Sequence, residues 1–395
     1  MKYAIVIPDG AADVPLDELR GRTPLAAANL PNMNRLSGMG KLGMVRTVPP
    51  GMDPGSDVAM LSVLGYDPRQ YYTGRAPLEA AARGLEIGPE EWVFRCNFVT
   101  ITDGIMDDHS AGHITTEEAT ALIAELNRLL AGDRIRFHPG ISYRHLMTVA
   151  GRVDIATTPP HDILGQPVAA HMPRGPGSEI LATLIQRSES ILGGHEINQV
   201  RRDLGENPAT HIWLWGGGRS PRLPSFAERF GIRGSAITAV DLVRGLAKLI
   251  GWDCIEVPGA TGFLDTNYAG KGSAAVEALG DHDLVCVHIE APDEASHQAD
   301  AVGKVRALEQ IDRHIVGPLL AHLQGGSDDW RLLLLPDHPT PCTRRTHTAE
   351  AVPFAIAGTR VASVVKEPFT EEAAGKTDLK IDRGWELMEF FLKVR

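Results

Sequence analysis

The chain has 395 residues, of which 43% are hydrophobic and 23% are charged, and its formal net charge is −11. This composition is that of a globular protein and excludes the disordered and fibrous classes. The acidic balance argues against nonspecific binding of nucleic acid or of a membrane surface, because both require a basic footprint. No run approaches the roughly 20 apolar residues of a membrane span.

The four cysteines are scattered, and none lies at metal-ligand spacing from another. Such sparse cysteine in a long chain is typical of a reduced protein, so we expect a cytoplasmic location. We expect no signal peptide, because the apolar run at residues 3–7 is short and is broken by Pro8 and Asp9. The oligomeric state stays open at this point.

Short apolar runs that end in polar, glycine or proline residues predict buried strands. They lie at residues 3–7, 212–215, 283–289, 331–335 and 352–357. Helical patterns alternate with them at residues 239–250, 272–279 and 299–323. This alternation predicts an α/β sheet covered by helices. Ligands of such sheets bind beyond the carboxyl ends of the strands, where Asp9, Asp337 and His338 lie.

Residues 77–206 show a different pattern and are predicted to form an inserted, smaller α+β domain. It would contain helices at residues 116–130 and 178–192, a segment rich in proline and glycine at 158–177, and seven histidines. Residues 1–76 and 207–395 would then form a discontinuous core. The insertion would close over the site of the core as a lid.

Asp293 and His297 are four residues apart, so a helix would place both on one face, where they could bind one ion. A carboxylate with an imidazole suits Zn, Mn or Fe better than Ca or Mg. The alternative is an exposed acid and an unrelated histidine. His347 lies in a loop before the predicted strand at residues 352–357. It becomes a candidate ligand only together with Asp293 and His297.

Asp337 and His338 directly follow a predicted buried strand, where an unpaired charge is costly and a metal ion would supply a partner. The alternative is that Asp337 caps the next loop or helix. Ser56 opens a predicted helix, a position that favours a bound anion. Either Ser56 is an ordinary N-cap residue, or it is a nucleophile that a metal ion activates.

Seven candidate ligands emerge from these segments, about the number that two metal ions need at three or four ligands each. They are Asp9, Ser56, Asp293, His297, Asp337, His338 and His347. Paired ions clamp the attacking and leaving oxygens in phosphoryl transfer.

The order Asp, Ser, Asp-x-x-x-His, Asp-His and His resembles the metal-site signature of the alkaline phosphatase superfamily. More closely, the chain resembles the archaeal-type 2,3-bisphosphoglycerate-independent phosphoglycerate mutases. The matching stretches cover nearly the whole chain, at residues 8–10, 55–67, 74–80, 158–162, 259–262, 293–297 and 346–348. A bacterial branch of this family has been proposed to act as homoserine kinases.

The resemblance implies an alkaline-phosphatase-like α/β sheet and two divalent ions, Mn or Zn, with Mg and Co as alternatives. One ion would be held by Asp9, Ser56, Asp337 and His338, and the other by Asp293, His297 and His347. Ser56 would take the phosphoryl group of 3-phosphoglycerate and return it to the 2-hydroxyl, in an enzyme of glycolysis and gluconeogenesis. Lys271 matches a lysine expected near the transferred phosphate, although it could also be a surface lysine.

The resemblance also places Arg75 near the substrate, and the insertion offers further arginines and histidines, residue types that bind phosphate and carboxylate. The candidates are Arg75, Arg95, His109, His113, Arg144 and His161. Two positions depart from the family pattern: His113, and Trp215 with the three glycines after it, stand where many relatives carry arginine. The alternatives to a mutase are a phosphotransferase acting on another acceptor such as homoserine, a phosphomonoesterase, and a metal-stabilised binding protein.

Overall fold

The computed structural model describes residues 1–151, 155–364 and 366–394. Its strands are β1 (Lys2–Pro8), β2 (Lys41–Val45), β3 (Glu91–Thr102), β4 (Ile105–Asp108), β5 (Ile135–Ile141), β6 (Arg144–Ala150), β7 (His211–Gly218), β8 (Gly234–Ile237), β9 (Asp253–Cys254), β10 (Leu284–Ile289), β11 (Trp330–Leu334), β12 (Val352–Gly358) and β13 (Lys380–Ile381). Its helices are α1 (Pro24–Ala27), α2 (Pro31–Gly38), α3 (Ser56–Val63), α4 (Pro68–Tyr71), α5 (Arg75–Ala82), α6 (Thr116–Leu130), α7 (Ser178–Gly193), α8 (Glu196–Asp203), α9 (Phe226–Phe230), α10 (Asp241–Leu249), α11 (Tyr268–Asp281), α12 (Ala291–His297), α13 (Ala301–Ile311), α14 (Gly317–Gly325), α15 (Glu371–Gly375) and α16 (Leu387–Lys393).

The chain divides into two compact units. The core unit comprises Met1–Tyr72 and Arg222–Arg395, and the inserted unit comprises Thr73–Pro221. These bounds differ from the predicted insertion at 77–206, chiefly because β7 pairs antiparallel with β3 of the inserted unit. The prediction that the run at 212–215 belongs to the core sheet was therefore wrong. A buried apolar run indicates a strand, but it does not indicate which sheet the strand joins.

The core unit is built on an eight-stranded sheet with the order β13-β2-β12-β11-β1-β10-β8-β9. Within it β1 pairs parallel with both β10 and β11, while β12 runs antiparallel to its two neighbours. Residues 4–7 of β1 are all fully buried. Because side chains alternate along a strand, helices and loops must cover both faces of this sheet. The predicted α/β fold class is confirmed.

The helix predicted at residues 299–323 is divided in the structure. A π-helical turn, Asp312–Val316, separates α13 from α14. Pro318 lies in the first turn of α14 and has no N–H to continue the α-helical ladder. The carboxylate of Asp312 meanwhile accepts hydrogen bonds from Met33 N at 2.7 Å and Asn32 Nδ2 at 2.8 Å. These contacts tie the turn to α2.

The inserted unit has a five-stranded antiparallel sheet, in which β3 pairs with β4, β6 and β7, and β5 pairs with β6. Its helix α6 has the predicted bounds because Thr115 and Glu118 form a capping box at its start. Apolar residues at positions 119, 122, 123 and 126 of α6 are buried in the core of this unit. Among the described residues, no helix is long and apolar enough to cross a membrane.

Three adjacent strands of the core sheet determine where a site can form. In the order β11-β1-β10, all three run parallel. Their carboxyl ends therefore meet at one edge, and Asp9, Asp337 and the first turn of α12 follow these ends within a few residues.

Candidate metal centre

Asp9 is the first residue after β1, and its relative exposure is 1%. Gly10 follows with a left-handed φ of 62°. A β-carbon at this position would lie 2.5 Å from Asp293 Oδ1 and 2.6 Å from Thr340 Oγ1. Glycine is required because the turn combines a positive φ with a close approach of the backbone to these two groups.

Asp337 and His338 follow β11 and are fully buried. Asp337 Oδ1 accepts hydrogen bonds from Gly10 N at 3.1 Å and from His338 N at 2.9 Å. Its other oxygen, Oδ2, lies 3.4 Å from His338 Nε2. One carboxylate oxygen thus fixes the strand-end turn, and the other faces the site.

Asp293 and His297 lie one turn apart in α12, on the same face, as their spacing predicted. Asp293 Oδ2 is 3.0 Å from His297 Nε2, and Asp293 Oδ1 is 3.4 Å from His347 Nε2. The Nε2 atoms of His297 and His347 are 3.1 Å apart. The loop histidine therefore completes a group of three with the two helical residues.

Ser56 is the first residue of α3, and its Oγ lies 3.2 Å from His338 Nε2. The N-cap residue of α3 is Gly55, so the alternative that Ser56 is the N-cap is wrong. The hydroxyl is held at the positive end of the helix, where a bound anion is favoured.

Thr340 joins the residues that follow β11 to those of α12. Its hydroxyl donates to Asp293 Oδ1 at 2.5 Å and lies 3.2 Å from His338 Nδ1. Since the hydroxyl proton goes to Asp293, Nδ1 of His338 must be the donor in the second contact, which leaves a lone pair on Nε2. The backbone oxygen of Thr340 accepts from Lys304 Nζ at 3.0 Å, and Lys304 forms a fully buried ion pair with Asp13. Sequence reasoning did not find this threonine.

The structure brings all seven predicted ligands together at this edge of the sheet. Neighbouring donor atoms, such as Asp293 Oδ2 with His297 Nε2 and Ser56 Oγ with His338 Nε2, are 3.0 and 3.2 Å apart. Two donors that are each about 2.1 Å from one ion lie about 3.0–3.4 Å apart at octahedral or tetrahedral angles. The side chains thus have the spacing of ligands that share an ion.

Buried carboxylate oxygens without a hydrogen-bond partner indicate whether a cation fits at this edge of the sheet. Within residues 1–151, 155–364 and 366–394, the buried Asp9 Oδ1 and Asp337 Oδ2 have no hydrogen-bond partner. Burial, and then the charges of Asp337 and Asp293, raise the pKa of Asp9 well above its usual range. Uncompensated buried carboxylates are costly, and a divalent cation would remove this cost. The groups of three that could hold an ion are Asp293–His297–His347, Asp9–Asp293–His338 and Asp9–His288–Asp337.

The protonation of Asp293 and His297 is set by their mutual contact. Although burial pushes the pKa of Asp293 upward, hydrogen bonds with His297 and His347 hold it well below its usual range. The bond to Asp293 raises the pKa of His297 to about 9. Asp293 is therefore ionised, which is the form that binds a cation.

His288 was not singled out in the sequence, yet it belongs to this site. It lies in β10, is 1% exposed, and its Nε2 is 3.1 Å from Asp9 Oδ2. Burial lowers its pKa to about 4, so its imidazole is neutral at pH 7. The signal that could have found it is a histidine inside an otherwise apolar run at the end of a buried strand.

Lys271 is not a surface lysine. It lies in α11, is 1% exposed, and its Nζ donates to the backbone oxygen of His288 at 3.3 Å. Burial lowers its pKa to about 8, an effect that the charge of Glu290 opposes. The ammonium thus contacts the backbone of His288, the residue whose side chain lies next to Asp9.

The six candidate substrate-binding residues all lie in the inserted unit, and five of them contact one of two aromatic rings, Tyr143 and Trp215. The ring centroid of Tyr143 is 5.9 Å from the imidazoles of both His109 and His113. The guanidinium carbon of Arg144 is 5.8 Å from the same ring. These contacts bring two imidazoles and a guanidinium group together around the ring of Tyr143.

The second of these rings is Trp215, which we expected from the sequence to stand where many relatives carry arginine. The guanidinium carbon of Arg95 lies 4.1 Å from its ring, and His161 lies 5.4 Å from it. Arg95 Nε and Arg75 Nε are 3.2 and 3.9 Å from the carboxylate of Glu79. The ring of His109 is 6.2 Å from that of His161, so the groups around Tyr143 and Trp215 are neighbours.

The loop that carries His109 and His113 is held from two sides. Asp108 accepts from the backbone N–H groups of Ser110 at 2.7 Å and Gly112 at 2.8 Å. Arg201, which is 2% exposed, donates to the backbone oxygen of Ala111 at 3.0 Å. Although burial pushes the pKa of Asp108 upward, hydrogen bonds from Ser110, Asn207 and Gly112 lower it to about 2.

Comparison with known proteins assigns this chain to a family. The family model of 2,3-bisphosphoglycerate-independent phosphoglycerate mutase matches residues 38–198. A mutase of that name from Methanothrix thermoacetophila is 50% identical over 99% of this chain and 100% of its own length. The chain belongs to this family. A second member, from Methanosarcina acetivorans, is 46% identical over 100% of both chains. The resemblance predicted from the motifs is confirmed.

Solved structures share the fold. A protein from Pyrococcus horikoshii is 30% identical, with a TM-score of 0.83, and the match covers 99% of this chain and 96% of that chain. The cofactor-independent phosphoglycerate mutase from Thermoplasma acidophilum is 27% identical, with a TM-score of 0.70 and 99% of both chains covered.

Proposed function

We propose that the chain is a cofactor-independent phosphoglycerate mutase, an isomerase that interconverts 3-phosphoglycerate and 2-phosphoglycerate through a phosphoserine at Ser56. The observation that carries this proposal is the position of Ser56 Oγ, 3.2 Å from His338 Nε2 within a buried group of carboxylates and imidazoles. Relatives of that name with 50% and 46% identity over the whole chain support it. The sparse, free cysteines support a cytoplasmic location.

Two divalent ions, Mn or Zn, with Mg and Co as alternatives, are proposed as cofactors. The residues proposed to hold the first ion are Asp9, Ser56, Asp337 and His338. The residues proposed to hold the second are Asp293, His297 and His347. When bound, the ions would lower the pKa of the serine hydroxyl and neutralise charge on the phosphoryl oxygens.

The proposed chemistry has two in-line transfers. Ser56 Oγ loses its proton and bonds to the phosphorus of 3-phosphoglycerate, while the bond from phosphorus to the 3-oxygen breaks and that oxygen takes up a proton. The 2-hydroxyl of the glycerate then gives up its proton and bonds to phosphorus. Ser56 Oγ leaves and is protonated again. Each proton that is released is taken up again, and the phosphoryl group returns to the glycerate. Neither 2,3-bisphosphoglycerate nor a nucleotide is therefore consumed.

The inserted unit is proposed to bind the glycerate and to exclude water from the phosphoserine. Its support is the cluster around Tyr143 and Trp215, which offers guanidinium groups from Arg95 and Arg144 for the substrate's carboxylate or phosphate. Water exclusion distinguishes a mutase from a phosphomonoesterase. Lys271, which matches a family lysine expected near the transferred phosphate, is proposed to supply positive charge toward the phosphoryl group.

The test is turnover of 3-phosphoglycerate by manganese-loaded protein without 2,3-bisphosphoglycerate, followed as 2-phosphoglycerate. Ser56→Ala should abolish product formation. Ser62→Ala is the matched control, because Ser62 lies in the same helix and its hydroxyl has no hydrogen-bond partner among the described residues. Product that persists in Ser56→Ala contradicts the role of the serine. No product from protein shown to hold two ions contradicts the mutase, and ATP with homoserine would be tested next.

A further inference from the structure

Among the described residues, His288 lies outside the seven proposed ligands, yet its imidazole is within 4.8 Å of carboxylate oxygens of two of them, Asp9 and Asp337. Its Nε2 forms a compact group with oxygens of Asp9 and Asp337, and all three residues are buried. Nothing in the ligand sets proposed above uses this nitrogen.

The contact between His288 and Asp9 does not have the character of a hydrogen bond. Nε2 of His288 is 3.1 Å from Asp9 Oδ2, yet it has no hydrogen-bond partner in the part of the chain that the structure describes. A buried, unpaired nitrogen at that distance is costly on its own. The same 3.1 Å lies within the spacing of two donors that bind one ion.

The other ring nitrogen is placed to fix the tautomer. Nδ1 of His288 lies 3.4 Å from Thr238 Oγ1, and that oxygen also accepts a hydrogen bond from Val240 N at 3.0 Å. With its proton on Nδ1 and directed at Thr238, the ring keeps the lone pair on Nε2. Metal-binding histidines are commonly held in this way.

The backbone of His288 is fixed as well. It lies in β10, which pairs with β1 so that Ile7 is opposite His288. Its carbonyl oxygen accepts from Lys271 Nζ at 3.3 Å. The imidazole is therefore held toward Asp9 by a rigid central strand, and a site on such an element is more precisely placed than one on a loop.

We propose that His288 Nε2 is a further ligand of the ion held by Asp9 and Asp337. The inference rests on the proposed metal centre, and it makes His288 part of that centre and not merely a core residue beside it. The four imidazoles of the centre would then be His288, His297, His338 and His347.

The experiment counts metal-bound histidines without measuring activity. Full-length protein with ¹⁵N-labelled histidine rings is loaded with zinc, and a long-range ¹H–¹⁵N spectrum distinguishes zinc-bound ring nitrogens from free ones. The expected result is four bound rings, of which one disappears in His288→Gln and none in the control His322→Gln, whose side chain is exposed. Zinc competition should show at least about a tenfold loss of affinity at one site in His288→Gln.

Three bound rings in the wild-type protein, with His288 free, would overturn this inference and leave the proposed metal centre standing. No bound ring would overturn both. Because the wild-type spectrum decides between these results, the test stands even if His288→Gln fails to fold.

Discussion

The two units place their functional side chains by different means. In the core unit, several proposed ligands follow the ends of three adjacent parallel strands, so one sheet edge brings together Asp9, Asp337 and the start of α12. In the inserted unit, most of the candidate residues come from strands and loops and contact Tyr143 or Trp215, while Arg75 begins helix α5.

The two sites are therefore expected to differ in how well they tolerate amino-acid substitutions. The core unit presents buried carboxylates whose unpaired oxygens a cation would compensate, so losing one proposed ligand would leave the others uncompensated. The inserted unit presents guanidinium and imidazole groups with partial exposure, where each contact adds a modest amount. Substitutions in the core unit should therefore abolish function, and those in the inserted unit should change substrate affinity.

The largest effect is expected from Asp293→Ala. It removes the carboxylate that contacts both His297 and His347, so one equivalent of metal should be lost and turnover should fall on the order of 10³-fold or more. Metal analysis and kcat measure this. Glu294→Gln, on the neighbouring residue, is the control and should retain both ions. Unchanged metal content in Asp293→Ala would refute the assignment of this ligand.

Thr340→Val should have the next largest effect. It keeps the shape of the side chain but removes the hydroxyl that donates to Asp293 and accepts from His338. Metal affinity should fall roughly 10–100-fold, as for other residues that orient ligands. Thr340→Ser should restore most of it, since the hydroxyl returns. Equal affinities for the valine and serine variants would mean that Thr340 only fills space.

Arg95→Lys tests the inserted unit. Lysine cannot make the planar contacts that Arg95 makes with Trp215 and Glu79. KM for 3-phosphoglycerate should rise about tenfold, the effect of losing about 1.4 kcal/mol of binding energy, while kcat changes little. Arg187→Lys, on the exposed side of α7, serves as the control. A collapse of kcat with KM unchanged would place Arg95 in the chemical step and would break the contrast between the units.

The smallest effect is expected from Asp108→Asn, at about 1 kcal/mol of stability at pH 7. The folded-state pKa of Asp108 is lowered to about 2, below an unfolded value of about 3.9. Its contribution is therefore present above pH about 4 and is lost as the pH falls toward 2. The difference in unfolding free energy between wild type and variant should shrink over this range. Asp107→Asn, at an exposed neighbour, should show no such trend.

The strand-end residues of the core unit could be predicted because a charged residue after a buried apolar run needs a partner, and parallel strands bring such residues to one edge. His288 and Thr340 could not be found in this way. The first lies inside an apolar run, and the second has no distinctive spacing. In the inserted unit, periodicity gave the bounds of α6, but it could not assign β7 to its sheet or reveal that Trp215 would contact Arg95 and His161.

Ser56 is proposed to carry the phosphoryl group between the two hydroxyls of glycerate. The most direct test mixes metal-loaded protein with 3-phosphoglycerate, quenches within milliseconds in acid, and maps phosphate by mass spectrometry of the peptide that spans α3. Phosphate is expected on Ser56, with none on Ser62 of the same peptide. Turnover to 2-phosphoglycerate with the phosphate found on another residue would contradict it.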